Sequence, residues 1–192
     1  MMKANPRKLT DEQIVKLILD EKESGYFEII YDRYAKKIFN KCLSFTNDKT
    51  HAQDLTQDII LKIYLNLKRF SFKSKFSTWA YSIMYNHCVT AYREIDRHRS
   101  DMEKYYRDDT YSYHEDTEDM LFQLQVDRLK ELLKQIHTED QMILLLKYQD
   151  DFSIKDIQRI TALSESAIKM RLKRAREKIM YLYRKKYGEK TI

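Results

Sequence analysis

Glycine and proline supply only three of the 192 residues: Pro6, Gly25 and Gly188. An average globular chain carries about 12% of the two together. Pro6 and Gly188 sit near the ends, so Gly25 alone punctuates the body of the chain. Sandwiches and barrels need many glycine and proline turns. Phosphate loops and dinucleotide fingerprints need several glycines, because only they let backbone approach phosphate closely. Neither can be assembled here. The chain is expected to be all-α, with its connections made by Asn, Asp, Ser and Thr.

Other sequence features narrow the class. An apolar fraction of 43% suffices for the cores of two small domains. The longest purely aliphatic run, Met142 to Leu146, is too short to cross a bilayer, so no stable membrane insertion is expected. Met1 to Pro6 has no apolar core of the secretory kind. Cys42 and Cys88 stand far apart without a C-x-x-C partner, so neither a disulfide nor a zinc framework is expected, and a reducing cytoplasm suits the chain.

The net charge of +6 hides a strong asymmetry. Residues 100–119 carry eight acids against Lys104 and Arg107, net −6, without periodicity. They read as a flexible, solvated linker. Residues 168–190 set ten Lys and Arg against Glu177 and Glu189, net +8. The expected organisation is a helical domain over 1–98, an acidic linker over 99–119 and a second helical domain over 120–192.

Period-3.6 stripes and capping signals place the helices. Thr10 with Gln13 opens a helix reaching about Glu23, and Gly25 ends it. Phe27, Ile30, Tyr34, Ile38, Cys42 and Phe45 form the stripe of the second helix. Thr50 to Gln53 opens a third, with Ala52, Leu55, Ile59, Ile63 and Leu67 on one side and Gln53, Asp54, Gln57, Asp58 and Lys62 on the other. Ser77 is expected to cap a fourth, ending near Arg99. In the second domain, helices are expected over Met120–Ile136, from the Thr138 capping box to about Lys147, from the Ser153 cap to Thr161, and from the Ser164 cap onward. A short helix, the three-residue turn Ala162-Leu163-Ser164 and a longer basic helix form a helix-turn-helix pattern.

Two features suit nucleic acid. On the last helix Ser166, Lys169, Lys173 and Arg176 recur on one face, flanked by Arg171 and Arg174, while Ile168, Leu172 and Ala175 point to the core. Small polar residues come first, where base edges are reached, and cations that hold phosphate follow. The loop Arg69 to Lys75 and the helix after it set Phe70, Phe72, Phe76, Trp79, Tyr81 and Tyr85 among Lys73, Lys75 and Arg93. Exposed aromatics stack unpaired bases and nearby cations follow the strand. Phe76 and Trp79 fall on the stripe expected to be buried; Phe72, Lys73 and Lys75 lie in the loop. The five histidines are scattered without metal-ligand spacing, and His87 beside Cys88 points away from it on a helix. No cofactor, metal or catalytic residue is expected.

The two halves resemble the extracytoplasmic-function (ECF) subfamily of sigma-70 RNA polymerase sigma factors. The resemblance is carried by A-Q-D-L-T-Q-D-I-I-L-K-I-Y at 52–64, F-S-T-W-A-Y-S-I-M-Y-N at 76–86 and F-S-I-K-D-I-Q-R-I-T-A-L-S-E-S-A-I-K-M-R-L-K-R-A-R at 152–176. These resemble the family's regions 2.2, 2.3–2.4 and 4.2 in order and spacing. Asp156, Gln158, Ala167, Ile168, Thr90, Ser77 and Ser82 depart from the usual residues. The resemblance implies that Asp54, Gln57 and Asp58 dock on the clamp of core RNA polymerase. It implies that Phe72, Lys73, Lys75, Asn86 and Arg93 hold the opened −10 strand. Ser164, Ser166, Lys169, Arg171, Lys173, Arg174 and Arg176 would serve the −35 element, with the polymerase flap against the same domain. It further implies an anti-sigma partner, a monomeric free state and no bond-making chemistry. The competing reading is a helix-turn-helix regulator that binds duplex DNA without joining the polymerase. The acidic-polar face of the third helix and the aromatic loop speak against it.

Overall fold

The computed structural model describes residues 6–21, 24–46, 48–97 and 126–188. Every regular element among them is helical. The expected acidic linker, 99–119, lies outside the described residues, as do 120–125. Residues up to Tyr92 belong to one compact unit, and Val126–Gln158 and Ala162–Gly188 to a second.

The first unit holds α1 (Asp11–Glu21), α2 (Phe27–Thr46), α3 (Lys49–Asn66) and α4 (Phe76–Arg97). The expected stripes form its core: Ile30, Tyr34, Ile38 and Cys42 of α2 and Ala52, Leu55, Ile59 and Ile63 of α3 are buried. On α4 the buried stripe is Phe76, Ala80, Met84, Cys88 and their neighbours Tyr81, Tyr85 and Val89; Trp79 and Ile83 are half-buried. Cys42 and Cys88, 46 residues apart, meet inside this core with their Sγ atoms 3.9 Å apart, as free thiols. The hydrogen bond to Cys42 and then burial push the Cys88 thiol well above its ordinary range.

Helix ends show where sequence and structure part. The Thr10 capping box forms as expected: Thr10 N donates to Gln13 Oε1 at 2.9 Å and Gln13 N to Thr10 Oγ1 at 3.3 Å. The third helix opens at Lys49, one residue earlier than Thr50, because Asp48 caps it by accepting from His51 N at 2.7 Å. Ser77 is not the cap of α4. That helix starts at Phe76, whose N–H donates to Glu12 Oε1 of α1 at 2.7 Å. A carboxylate also suits the positive end of the helix dipole.

The second unit holds α5 (Val126–Leu133), α6 (Thr138–Leu144), α7 (Ile154–Thr161) and α8 (Glu165–Tyr187), with a π-helical turn at Leu145–Gln149. Helix α5 stops before Ile136. His137, not Thr138, caps α6 by accepting from Glu139 N at 3.3 Å. Leu132, Met142, Ile143 and Leu146 are buried with Ile168, Leu172, Ala175 and Ile179 of α8.

Removing the remote cap tests its worth. Glu12→Ala lowers the stability of the first unit by about 1 kcal/mol, the usual cost of a lost N-cap, and Glu12→Gln, which keeps the acceptor, loses less. Urea unfolding of the three proteins measures it, and equal midpoints for all three refute the role.

Candidate nucleic-acid interface

The helix-turn-helix is built from two serine caps and one left-handed alanine. Ser153 accepts from Asp156 N at 3.1 Å and starts α7. Ala162 ends it with φ 58°, its N–H donating to Gln158 O at 2.8 Å. Left-handed backbone costs a non-glycine residue roughly 1–2 kcal/mol, and it turns the chain within one residue. Ser164 then accepts from Ala167 N at 3.2 Å and starts α8.

Ile168, Leu172 and Ala175 are buried, as expected, so the opposite side of α8 faces out. Ser164, Ser166, Lys169 and Arg174 are exposed. Lys169 pairs with Glu165 one turn back at 2.6 Å, which lowers the Glu165 carboxyl below its ordinary range. Lys173 stands 4.0 Å from Glu177.

Two of the expected DNA residues are turned into the protein. Arg171 Nη1 donates to Glu139 Oε2 at 2.7 Å and to Asp140 Oδ1 at 3.3 Å. Arg176 Nη1 donates to Tyr148 Oη at 2.8 Å. These arginines tie α8 to α6 and to the π-helical turn. Met170, which sequence reasoning passed over, is 51% exposed between the cations. Its signal was available: it lies half a turn from Ile168 and Leu172, opposite the core stripe.

In the first unit the loop after α3 holds a graded aromatic cluster. Phe70 and Phe76 are buried with centroids 5.5 Å apart, and Trp79 lies 5.5 Å from each. Phe72 packs on Phe70 at 4.7 Å yet is 47% exposed, with φ 59°. Lys73 and Lys75 are exposed beside it. Phe72, Lys73 and Lys75 border an open depression of about 620 Å³ that Thr10, Asp11, Glu12 and Arg33 also line. Its floor is braced: Arg33 donates to Asp11 Oδ1 at 2.5 Å and to Leu9 O at 2.9 Å, and Tyr34 Oη donates to Asp11 Oδ2 at 2.5 Å. Burial, then the Asp11 contact, push the Tyr34 hydroxyl far up, so it keeps its proton. Asn86 is exposed on α4, and Thr90 Oγ1 donates to its carbonyl at 2.8 Å. Arg93 belongs to α4, and its side chain lies outside the described residues.

On α3, Gln53, Asp54, Gln57 and Asp58 are exposed. The same helix exposes Leu61, Tyr64 and Leu65, the last at 67%. Sequence periodicity had picked only the polar part of this face. Lys62 Nζ lies 2.6 Å from His87 Nδ1, and His87 Nε2 lies 3.7 Å from Asp58 Oδ2.

The described residues thus hold a helix-turn-helix whose second helix exposes cations and, in the other unit, an exposed aromatic loop. Residues 30–98 match the family described as Sigma-70 region 2 and residues 127–179 the one described as Sigma-70, region 4, together more than half of the chain. The protein belongs to the sigma-70 family, in its ECF subgroup. It is 26% identical over 183 residues to the ECF RNA polymerase sigma factor SigW of Bacillus subtilis, covering 86% of this chain and 95% of the relative. It is 26% identical over 181 residues to the RNA polymerase sigma-H factor of Pseudomonas aeruginosa, covering 89% and 94%. In fold it is similar to CnrH solved with the cytosolic domain of CnrY, with TM-score 0.66 at 19% identity over 92% of this chain and 98% of that one. It is also similar to the sigma factor RpoE solved with the anti-sigma factor NepR from Bartonella quintana, with TM-score 0.62 at 20% identity over 82% and 96%.

The Arg171 anchor has a testable pH signature. Burial pushes the Asp140 carboxyl above its ordinary range, while the Arg171 charge pulls it down. A carboxyl with a raised folded pKa binds its proton more tightly when folded. Its ionised form therefore costs stability above that titration, and Arg171 offsets part of the cost. Arg171→Ala is expected to destabilise the second unit by about 1–3 kcal/mol at neutral pH, the cost of leaving buried acceptors unsatisfied. The deficit shrinks as pH falls through the Asp140 titration, which lies above the ordinary ~3.9. Thermal unfolding of variant and wild type across that range reads the difference, and a deficit independent of pH refutes the electrostatic account.

Proposed function

We propose that this sigma factor directs core RNA polymerase to its promoters through three surfaces, and that domains over 1–98 and 120–192 divide the work. The exposed face of α3, at Asp54, Gln57 and Asp58, docks on the polymerase clamp. The neighbouring Leu61 and Leu65 extend that face with apolar area, which supplies the non-directional part of the binding energy. The loop at Phe72, Lys73 and Lys75 takes an unpaired base of the −10 element in the depression beside it. Asn86 and Arg93 continue along the opened strand. The outward side of α8, at Ser164, Ser166, Lys169, Lys173 and Arg174, reads the −35 element, and Arg171 and Arg176 hold that helix in place. The second domain also meets the polymerase flap, with the 99–119 linker between the two.

The observation that carries this reading is Phe72. A bulky side chain is held at positive φ with nearly half its surface open, on a buried aromatic base and followed by two exposed lysines. Strained backbone at a nonpolar, exposed residue calls for a function, and base stacking is worth about 1–3 kcal/mol per base. A regulator that only binds duplex DNA has no use for such a platform. Because stacking is available only to an unpaired base, its energy favours the opened state over the closed one.

The protein makes and breaks no bond in this scheme; it supplies differential binding to polymerase. Among the described residues no helix is long and apolar enough to cross a membrane, and we place the protein in the cytoplasm with its polymerase. RpoE was solved with the anti-sigma factor NepR and CnrH with the cytosolic domain of CnrY, and an anti-sigma factor is the partner proposed here.

Run-off transcription by purified core polymerase with and without this protein tests the scheme. Promoter-dependent initiation appears only in its presence, and its absence on every genomic template refutes the reading. Arg174→Ala makes the dependence of log binding on log salt shallower by about one unit, as expected for one lost phosphate contact. An unchanged slope removes Arg174 from the phosphate set.

A further inference from the structure

The outward side of α8 carries an exposed apolar side chain among its cations. Taking Ile168, Leu172 and Ala175 as the inward direction, Ser166, Met170 and Lys173 lie opposite, at steps of four and three residues. Met170 is the sixth residue of a helix that begins at Glu165 and is 51% exposed. Of the cations around it, Lys169 reaches back to Glu165, Lys173 stands by Glu177 and Arg171 is held by Glu139 and Asp140, while Arg174 is exposed one turn on. Over the first two turns, where a recognition helix meets base edges, an exposed large apolar side chain, the flexible thioether of Met170, therefore stands among the polar ones.

We infer that Met170 reads the C5-methyl group of a thymine in the −35 element; this rests on the promoter-reading role of α8 proposed above. The thymine methyl is the apolar group that base edges offer in the major groove. An unbranched thioether adapts its shape to such a contact without needing a donor or acceptor. Ser166, four residues back, and Lys173, three residues on, span about 10 Å along the axis. That length fits a groove about 12 Å wide, with Met170 near its middle. The hydroxyl and ammonium groups provide polar contacts on either side, and the methyl contact sets identity at the central position.

The test uses holoenzyme reconstituted from the full chain and core polymerase, on a promoter fragment identified by its own transcripts. Each −35 thymine on either strand is replaced in turn by deoxyuridine, which keeps the pairing face and removes only the methyl. Competition binding is expected to show one position at which wild-type affinity falls about fourfold, the worth of one buried methyl. Met170→Ala and Met170→Gln bind the thymine promoter several-fold more weakly and no longer distinguish thymine from deoxyuridine at that position. Met170→Leu retains the discrimination. Equal discrimination in wild type and Met170→Ala overturns the inference, as does promoter-specific binding by wild type with no methyl-sensitive position. Absence of any promoter-specific binding by the wild-type holoenzyme overturns the sigma scheme itself. Far-ultraviolet circular dichroism of the variants reports that each is folded, and the Gln variant keeps the length of the native side chain.

Discussion

A helix leaves its first four N–H groups without partners inside the helix, and at six helix starts in this glycine- and proline-poor chain a side chain accepts from one of them. Thr10, Asp48, His137, Ser153 and Ser164 each serve the turn that follows them, and Glu12 serves a helix 64 residues away. The arrangement of functional parts depends on this. Ser164 and the left-handed Ala162 set the angle at which α8 leaves α7. Glu12 pins the start of α4, which is where the Phe72 loop ends. A glycine at 162 would remove strain but would enlarge the unfolded ensemble, so alanine gives a stiffer turn at the place where orientation matters.

A second economy concerns positive charge. The first half of α8 carries Lys169, Arg171, Lys173, Arg174 and Arg176. Two of its three arginines face inward onto fixed acceptors, and its two lysines remain on the outside. Arginine suits the inward task, because its guanidinium stays charged and carries five donors; Arg171 Nη1 alone reaches both Glu139 and Asp140. Lysine is a compact point charge on a flexible stem, better matched to a phosphate whose position varies. The basic helix is thus two populations, one building the domain and one facing solvent.

This division marks the limit of what the sequence could show. Periodicity placed the helices and their core stripes, because burial of one face imposes a 3.6-residue repeat whatever the partner. It could not sort the cations of α8, since Arg171 and Arg176 lie near the edge of the stripe and their acceptors come from α6 and the π-helical turn. The cap of α4 was missed for the same reason: its acceptor is on α1, and the nearby Ser77 offered a plausible local substitute. Asp48 and His137 differ, because the competing Thr50 and Thr138 were adequate caps by type and only geometry chose. The Cys42–Cys88 contact left no local trace, being two core positions on separate helices. Leu61 and Leu65 were hidden by Ile60 and Ile63 beside them, since an apolar run reads as core until its helix has an orientation.

The small number of outward cations has a consequence for how the second domain works. If the face proposed to read DNA holds phosphate with Lys169, Lys173 and Arg174, counterion release gives a salt slope of roughly −3, and Glu165 and Glu177 draw on two of them. Such a domain grips phosphate weakly on its own. In the scheme proposed above, polymerase held by the first domain brings it to the −35 element at a raised effective concentration. Weak intrinsic affinity then becomes useful. A domain that held DNA tightly through phosphates alone would be retained at any sequence, whereas one that depends on its tether binds productively only where base contacts add to it. The sparse basic face and the apolar Met170 at its centre are two sides of the same solution: less affinity from charge and more discrimination from shape.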